Sequence, residues 1–487
     1  MNITETIQTT RADLAGLTVF SHLKKRPLLT AFIKLLEITQ SANIAVNPDV
    51  GGGLKLVRRW ACFTKAFIGN SARRFTHGSF YEAIAFLVRT ADNPFTRAAE
   101  SAITNKIAAG KTIPPLLRAA AAADLERLGR IAAFDISQLG FHIADLLRKA
   151  GLENAAQNIE AEARAFWAAE GKAASVTPEL FPRNENWSAA LPAFIEYIRT
   201  HGAGDLGLYH AFSWAGDDRK NKPEHGKLRP VEKCDPVRLS DLSGYEDQRS
   251  IVIANTLRFL EGKPANNLLL YGDRGTGKSA TVKAVCNEYA DRGLRLLEVH
   301  KKDLFQLPVI LKTLDLRAMP FIVFIDDLSF EVLDDSFTGL KALLEGGVEV
   351  RPPNVVIYAT SNRRHLIKER IADRPGPGAG NPSDGEVRAF DTMQEQFSLA
   401  DRFGLTVVFT SPNQDEYLSI AEFIARKRGL LGAAKDSGEG SDDNAGEALK
   451  LFRENALRWE RWFNGRSPRT AVQYVDWVAA GTGFPWE

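Results

Sequence analysis

The chain has 487 residues, and its 62 lysines and arginines nearly balance 60 aspartates and glutamates, so the formal net charge is only +2. This length leaves room for two or three domains, and 44% hydrophobic with 25% charged residues is the usual mix of globular proteins. The small net charge argues against a protein dominated by non-specific binding to nucleic-acid phosphates. Three widely spaced cysteines without a CxxC pair argue against both a disulfide framework and a structural zinc site.

The sequence shows no pattern of export or membrane insertion. The first residues include Glu5 and Asp13 and lack the basic-then-apolar order of a signal peptide. No run of about 18 apolar residues occurs, so no segment is predicted to span a bilayer. We therefore expect a protein of the reducing cytoplasm, without a membrane partner.

Residues 1–200 predict an all-α N-terminal domain. The stretch 114–134 is rich in Ala, Leu and Arg, with prolines near its first turn, where a missing N–H costs nothing. Asp135 is a predicted N-cap for the next helix, whose apolar residues recur at helical spacing until Gly151. Residues 201–235, which include the Gly-, Asp- and Lys-rich segment 215–227, are predicted to be a linker.

In residues 236–412 short apolar runs alternate with helical segments. This alternation predicts βαβ units and a parallel sheet that is buried on both faces. Residues 413–487 predict a C-terminal helical region. The predicted strands are 267–271, 294–299, 321–325, 354–359 and 405–409.

The sharpest local signal is the segment GDRGTGKS, which fits the pattern GxxxxGK[ST]. Glycines let the main chain turn its N–H groups inward around phosphate oxygens, and the following helix points its N-terminus at the same anion. In this pattern Lys278 neutralises the β- and γ-phosphates, and the Ser279 hydroxyl ligates Mg²⁺. The segment follows an apolar run and precedes a helical one, which is the context that the motif requires. We predict an ATP site that includes Gly272, Asp273, Arg274, Gly275, Thr276, Gly277, Lys278 and Ser279.

Polar side chains follow two later strands, at the edge of the sheet where ligands of such folds bind. Asp326 is the candidate outer-sphere ligand of Mg²⁺, and Asp327 is a candidate for polarising the attacking water. After the strand 354–359, Asn362 is a candidate for orienting that water against the γ-phosphate. Each segment alone also fits a structural role, namely a buried strand with an Asp N-cap or an ordinary turn.

Four segments together resemble an uncharacterised bacterial family of predicted AAA+ ATPases, a branch of the P-loop NTPases known only as a domain of unknown function. They are NNLLLYGDRGTGKS, FIVFIDDLSFE, LEGGVEVRPPNVVIYATSNRRHL and SLADRFGL. The resemblance covers about residues 206–480 and does not reach the helical N-terminal half. It implies an α/β P-loop NTPase (AAA+) core with a C-terminal helical lid at residues 413–487.

The resemblance also implies residue roles. Asn362 resembles the sensor-one residue, and Arg402 resembles an arginine finger that reaches the γ-phosphate of a neighbouring subunit. Arg469 resembles the sensor-two arginine, with Arg466 as its rival. An arginine suits such tasks because its charge does not titrate and its fork matches phosphate geometry. The segment LSGYEDQ, with Gly244 and Tyr245, resembles the one that packs against adenine.

The chain departs from the family pattern at the second acidic position. Many AAA+ enzymes have Asp-Glu after this strand, whereas this chain has Asp326-Asp327. Asp327 is one methylene shorter than Glu. Activation of the attacking water therefore requires that the backbone lie closer to this water, or the task falls to Glu331. A similar pair occurs in replication-initiator and helicase-loader relatives that hydrolyse ATP slowly, so slow turnover is expected.

Three functional hypotheses follow. The first is an AAA+ ATPase that assembles head-to-tail into a homo-oligomer, completes each site with Arg402 of a neighbour, and rearranges a protein client bound by its N-terminal half. The second is a loader or remodeller associated with nucleic acid, which the near-neutral charge does not favour. The third is a switch that binds ATP without hydrolysing it.

Overall fold

A computed structural model describes most of the chain. Its described residues divide into two compact units, one within residues 1–208 and one within residues 209–487. The described residues are 2–44, 49–74, 79–101, 112–172, 180–183, 186–216, 226–328, 351–362, 403–431, 443–463, 465–481, 483–484 and 486.

In its longer described segments the N-terminal unit is helical, as the sequence predicts. The predicted N-cap Asp135 accepts a hydrogen bond from the backbone N–H of Gln138 at 3.0 Å. Among the described helices of the whole chain, none combines the length and apolar character that a bilayer span needs. The helices of this unit are α1 Ile3–Ala15, α2 Pro27–Ile44, α3 Val50–Arg74, α4 Phe80–Arg89, α5 Pro94–Ser101, α6 Pro115–Ala132, α7 Ile136–Lys149, α8 Glu153–Lys172 and α9 Leu191–His201.

A buried carboxylate on α6 binds the segment that connects α1 to α2. The carboxylate of Asp124, on α6, has no exposed surface and accepts the backbone N–H groups of Thr18 and Phe20 at 2.9 and 3.0 Å. Arg127 donates to the same carboxylate at 3.0 Å. A buried charge is tolerated where it is paired and fully hydrogen-bonded, so Asp124 fixes this turn rather than offering a reactive group.

The second unit is built on a seven-stranded sheet. Its order is β2-β1-β4-β5-β6-β3-β7, in which β1 and β2 are antiparallel and the other neighbouring strands are parallel. Every residue of β3, β5 and β6 is buried, as expected for parallel strands covered on both faces. The strands are β1 Ala211–Gly216, β2 Gly226–Pro230, β3 Leu268–Gly272, β4 Arg295–Glu298, β5 Phe321–Ile325, β6 Val355–Ser361 and β7 Leu405–Phe409.

Helices of this unit flank the sheet and form the lid. Helices α10 Glu246–Leu260, α11 Lys278–Glu288 and α12 Leu307–Asp315 belong to the α/β core. The lid consists of α13 Gln414–Lys427, α14 Asp443–Trp462 and α15 Pro468–Ala479, which share a hydrophobic core of their own. The predicted α/β fold with a helical lid and an all-α N-terminal region is confirmed.

The prediction of a linker at residues 201–235 is wrong where β1 and β2 form. Phe212 and Trp214 are buried in β1, and the Trp214 indole N–H donates to the Gln306 side chain at 2.5 Å. The apolar run of β1 is short and is followed by a strongly polar segment, which hid the strand signal. Residues 217–225 of that segment lie outside the described residues.

Candidate functional site

The last residue of β3, where the chain leaves the sheet, has to be glycine. Gly272 has a φ of 140°, and a Cβ atom there would lie 1.9 Å from the carbonyl oxygen of Phe409 on β7. The next residue, Asp273, donates its backbone N–H to the same oxygen at 3.0 Å. The loop therefore leaves the sheet pressed against the neighbouring strand, and the helix α11 begins at Lys278 after Gly277 in a left-handed conformation.

Gly272→Ala should destabilise the protein by roughly 2–5 kcal/mol, because it adds a left-handed backbone penalty to a clash with rigid main chain. Gly277→Ala is the matched control. Gly277 also has a positive φ, of 91°, but nothing lies within 4 Å of the place that a Cβ atom would occupy, so this change should cost only about 1 kcal/mol. Thermal unfolding of both variants without nucleotide tests this difference, and equal midpoints would contradict it.

The loop and the start of α11 form one wall of a cavity of about 640 Å³, within the range of ligand pockets. Asp326, Asp327 and Asn362, at the carboxyl ends of β5 and β6, form a second wall. The lid contributes Pro468, Arg469 and Val472. The full lining is Leu242, Arg274, Gly275, Thr276, Gly277, Lys278, Ser279, Ala280, Asp326, Asp327, Asn362, Pro468, Arg469 and Val472.

Lys278 is 4% exposed and lies folded into the loop. Its ammonium donates to the carbonyl oxygens of Gly272 and Asp273 at 3.0 and 2.6 Å, and its Nζ lies 3.5 Å from the hydroxyl oxygen of Thr276. Burial lowers the pKa of Lys278 to about 8, although the carboxylates of Asp273 and Asp326 act in the opposite direction. An anion in the cavity would stabilise the charged ammonium in this desolvated place.

Ser279 and Asp326 meet at the base of the cavity. The Ser279 hydroxyl donates to Asp326 Oδ1 at 2.6 Å, and the Thr360 hydroxyl donates to the same oxygen at 2.6 Å. A hydroxyl and a carboxylate at this distance fit Mg²⁺, which takes one or two protein oxygens and completes its shell with water and substrate phosphates. Ser279 would be the direct ligand, and Asp326 would hold it or a water of the metal shell.

Asp327 has an uncommon backbone conformation. Its φ is 53°, in the left-handed region that Asp and Asn tolerate better than most residues. Its N–H donates to Thr360 Oγ1 at 2.9 Å, and its carboxylate accepts the Asn362 side-chain amide at 2.6 Å. This conformation gives a physical reason for Asp at the position where the sequence pattern of many AAA+ enzymes has Glu.

The lid contacts the phosphate loop directly. The backbone N–H of Arg469 donates to the carbonyl oxygen of Gly275 at 3.2 Å. A Cβ atom on Gly275 would lie 2.9 Å from Ser467 Oγ, so this glycine permits the close approach. Arg469 lines the cavity, whereas its rival Arg466 is paired with Glu460 of the lid at 2.9 Å.

The segment predicted to contact adenine is only partly at the cavity. Neither Gly244 nor Tyr245 is among the lining residues. The Tyr245 hydroxyl donates to the carbonyl oxygen of Thr410 at 2.7 Å, and its ring lies 5.3 Å from that of Phe409. Leu242, two residues before Gly244, lines the cavity instead. Gly244 and Tyr245 have positive φ values of 75° and 60°, so the chain turns between Leu242 and the helix α10.

The Asp273 side chain faces the segment that connects β7 to the lid. Its carboxylate accepts both the backbone N–H and the hydroxyl of Ser411, at 2.9 and 2.7 Å. Gly272 and Asp273 therefore shape the loop without lining the cavity. Arg402 and Glu331, the other predicted site residues, lie outside the residues that the structure describes.

The α/β unit matches the model of a known protein family. A family model described as a protein of unknown function (DUF815) matches residues 208–482, more than half of the chain. The chain belongs to the DUF815 family. The match agrees with the predicted family, and the phosphate loop and sheet order of this DUF815 protein are those of a P-loop AAA+ nucleotide-binding fold. No curated protein matches the chain.

Solved structures of RuvB from Thermotoga maritima are among those that a structural comparison matches to this chain. A point mutant of RuvB is 16% identical with a TM-score of 0.32, and the match covers 50% of this chain and 65% of that one. A structure described as the RuvB Holliday junction branch migration motor is 14% identical with a TM-score of 0.28, over 50% and 72% of the two chains. The DUF815 chain thus spans slightly less than two thirds of the length of the first of these structures.

Proposed function

We propose that this DUF815 protein is a slow, Mg²⁺-dependent ATPase whose nucleotide state rearranges a homo-oligomer and a bound partner. The observation that carries the proposal is the 2.6 Å hydrogen bond between Ser279 and Asp326, beside the buried Lys278 at a helix N-terminus. An ammonium, a hydroxyl and a carboxylate around an amide-lined loop are the parts that bind a triphosphate and its metal.

Each wall of the cavity has a task in this proposal. Backbone N–H groups from Gly275 to Ser279 and the Lys278 ammonium bind the phosphates, and Arg469 adds a cation from the lid. Leu242 and Val472 supply apolar surface for the base. Mg²⁺, when bound, would neutralise charge on the phosphate oxygens.

Asp327 and Asn362 are proposed to orient the attacking water. In the described structure the Asn362 amide donates to the Asp327 carboxylate, so part of its acceptor capacity is already used. Phosphoryl transfer depends mainly on positioning and charge stabilisation, so a carboxylate held in this way supports slow turnover in an isolated subunit.

The oligomer and the client are further parts of the proposal. Among the described residues, the cations that line the cavity are Arg274, Lys278 and Arg469. We propose that Arg402 of a neighbouring subunit completes the site, as in a head-to-tail ring with heterologous interfaces. The helical N-terminal unit would then bind the protein client.

ATP hydrolysis by the full chain, measured together with its molar mass by light scattering, tests the proposal. We expect turnover well below the ~10 s⁻¹ median of enzymes, loss of turnover when EDTA removes Mg²⁺, and a higher mass with ATP than without it. Binding of ATP without turnover would favour the non-hydrolysing switch. Absence of ATP binding would refute the proposed function.

A further inference from the structure

Thr360 is the second-to-last residue of β6, and it is not among the residues that line the cavity. It is 2% exposed, and it makes three hydrogen bonds to consecutive residues after β5. Its hydroxyl donates to Asp326 Oδ1 at 2.6 Å and accepts the Asp327 N–H at 2.9 Å. Its carbonyl oxygen accepts the Leu328 N–H at 2.7 Å. One residue of β6 thus fixes the chain that carries both carboxylates.

The first consequence concerns Asp326. Its Oδ1 accepts two hydroxyls, one from Ser279 and one from Thr360. A Ser279 oxygen that ligates a cation through a lone pair can keep this hydrogen bond, but its orientation is then set by the cation as well as by the carboxylate. Thr360 does not line the cavity, so its hydrogen bond stays in place and keeps Asp326 oriented.

The second consequence concerns Asp327. A left-handed backbone at a non-glycine residue persists only where the surroundings hold it. The Thr360 hydroxyl is the partner of the Asp327 N–H in that conformation, and the Asn362 amide holds the carboxylate. Removing the hydroxyl takes this partner away from the N–H and frees the main chain to relax.

We propose that Thr360 is a positioning residue that aligns the magnesium-binding carboxylate of Asp326 and the water-activating carboxylate of Asp327. This inference rests on the proposed ATPase function and extends it to a residue that touches neither nucleotide nor metal. Partners of metal-binding groups typically change metal affinity or activity by about 10–100-fold when they are removed.

The neighbouring residue Ser361 supplies a matched control. Ser361 is fully buried on the same strand, and its hydroxyl has no hydrogen-bond partner in the described part of the chain. Ser361→Ala therefore removes a hydroxyl of the same kind, one residue away, without affecting either carboxylate.

The experiment compares Thr360→Val, Thr360→Ser and Ser361→Ala in the full chain. Mn²⁺ binding in the presence of ATPγS is followed by electron paramagnetic resonance, and kcat and KM for ATP are measured alongside. We expect Thr360→Val to weaken Mn²⁺ binding and lower kcat, each by about 10–100-fold, with ATP binding in EDTA within about twofold of wild type. Thr360→Ser, which restores the hydroxyl, and Ser361→Ala should both stay close to wild type.

Two results would overturn this inference and leave the proposed function untouched. The first is a wild-type Mn²⁺ affinity in Thr360→Val, and the second is an equal loss of Mn²⁺ affinity in Thr360→Val and Thr360→Ser. If Thr360→Val does not fold, as judged by thermal unfolding, Thr360→Ala is measured in the same assays and decides by the same criteria. A wild-type protein that binds no ATP would refute the proposed function itself, and the inference with it.

Discussion

Lys278→Ala should weaken ATP binding by about 30-fold to several thousand-fold. The ammonium is buried at 4% exposure and donates to the loop carbonyls. Truncating one partner of a buried charged contact costs about 2–5 kcal/mol, and 1.4 kcal/mol corresponds to tenfold in affinity. Isothermal titration with ATP and Mg²⁺ measures the change.

Lys283→Ala is the control for this variant. Lys283 lies on the same helix α11 but does not line the cavity. Its replacement should leave the ATP affinity within about twofold of wild type, because a partly exposed charge away from the ligand contributes little. An ATP affinity of Lys278→Ala within about threefold of wild type would contradict the assignment of the phosphate loop.

Arg402→Ala should lower the rate of ATP hydrolysis by about 1000-fold or more while leaving ATP binding intact, because an arginine supplied in trans acts mainly on the transition state. Asp327→Asn should also bind ATP without turnover, since the amide keeps an acceptor for Asn362 but loses the charge. Turnover per subunit and nucleotide affinity of the two variants measure these effects separately.

Mixing the two variants tests whether sites are shared between subunits. In a head-to-tail oligomer, a site between an Arg402→Ala subunit and an Asp327→Asn neighbour can combine an intact Asp327 with an intact Arg402, so about a quarter of sites should recover in an equal mixture. A mixture of Asp327→Asn with Lys278→Ala must not recover, because both changes damage the same half of the site. Failure of the first mixture to regain turnover would count against a trans arginine.

The sequence predicted the positions that depend on local pattern. The apolar runs became β3 to β7 nearly as expected, and Lys278, Ser279 and Asp326 came together because carboxyl ends of parallel strands share one edge of the sheet. The pattern GxxxxGK[ST] is itself local, and its geometry follows from glycine conformations and a helix N-terminus.

The positions that depend on distant neighbours were not predicted. Thr360 acquires its role from the hydrogen bonds that β5 and β6 make possible when they pair, and nothing in its own segment distinguishes it from Ser361. Val472 lines the cavity because the lid contacts the loop, and Leu242 lines it from the segment before α10. β1 was missed because its apolar run is short, and the hydrogen-bond partner of its buried Trp214 is Gln306, 92 residues later.

The contact between Gly275 and Arg469 links the phosphate loop to the first turn of α15. This helix has 12 residues and is therefore about 18 Å long, and its first turn abuts the phosphate loop. A tilt of about 10° around that contact would displace the far end, near Trp477, by roughly 3 Å. Such a tilt would turn a small adjustment of the phosphate loop into a larger displacement at the opposite end of this lid helix.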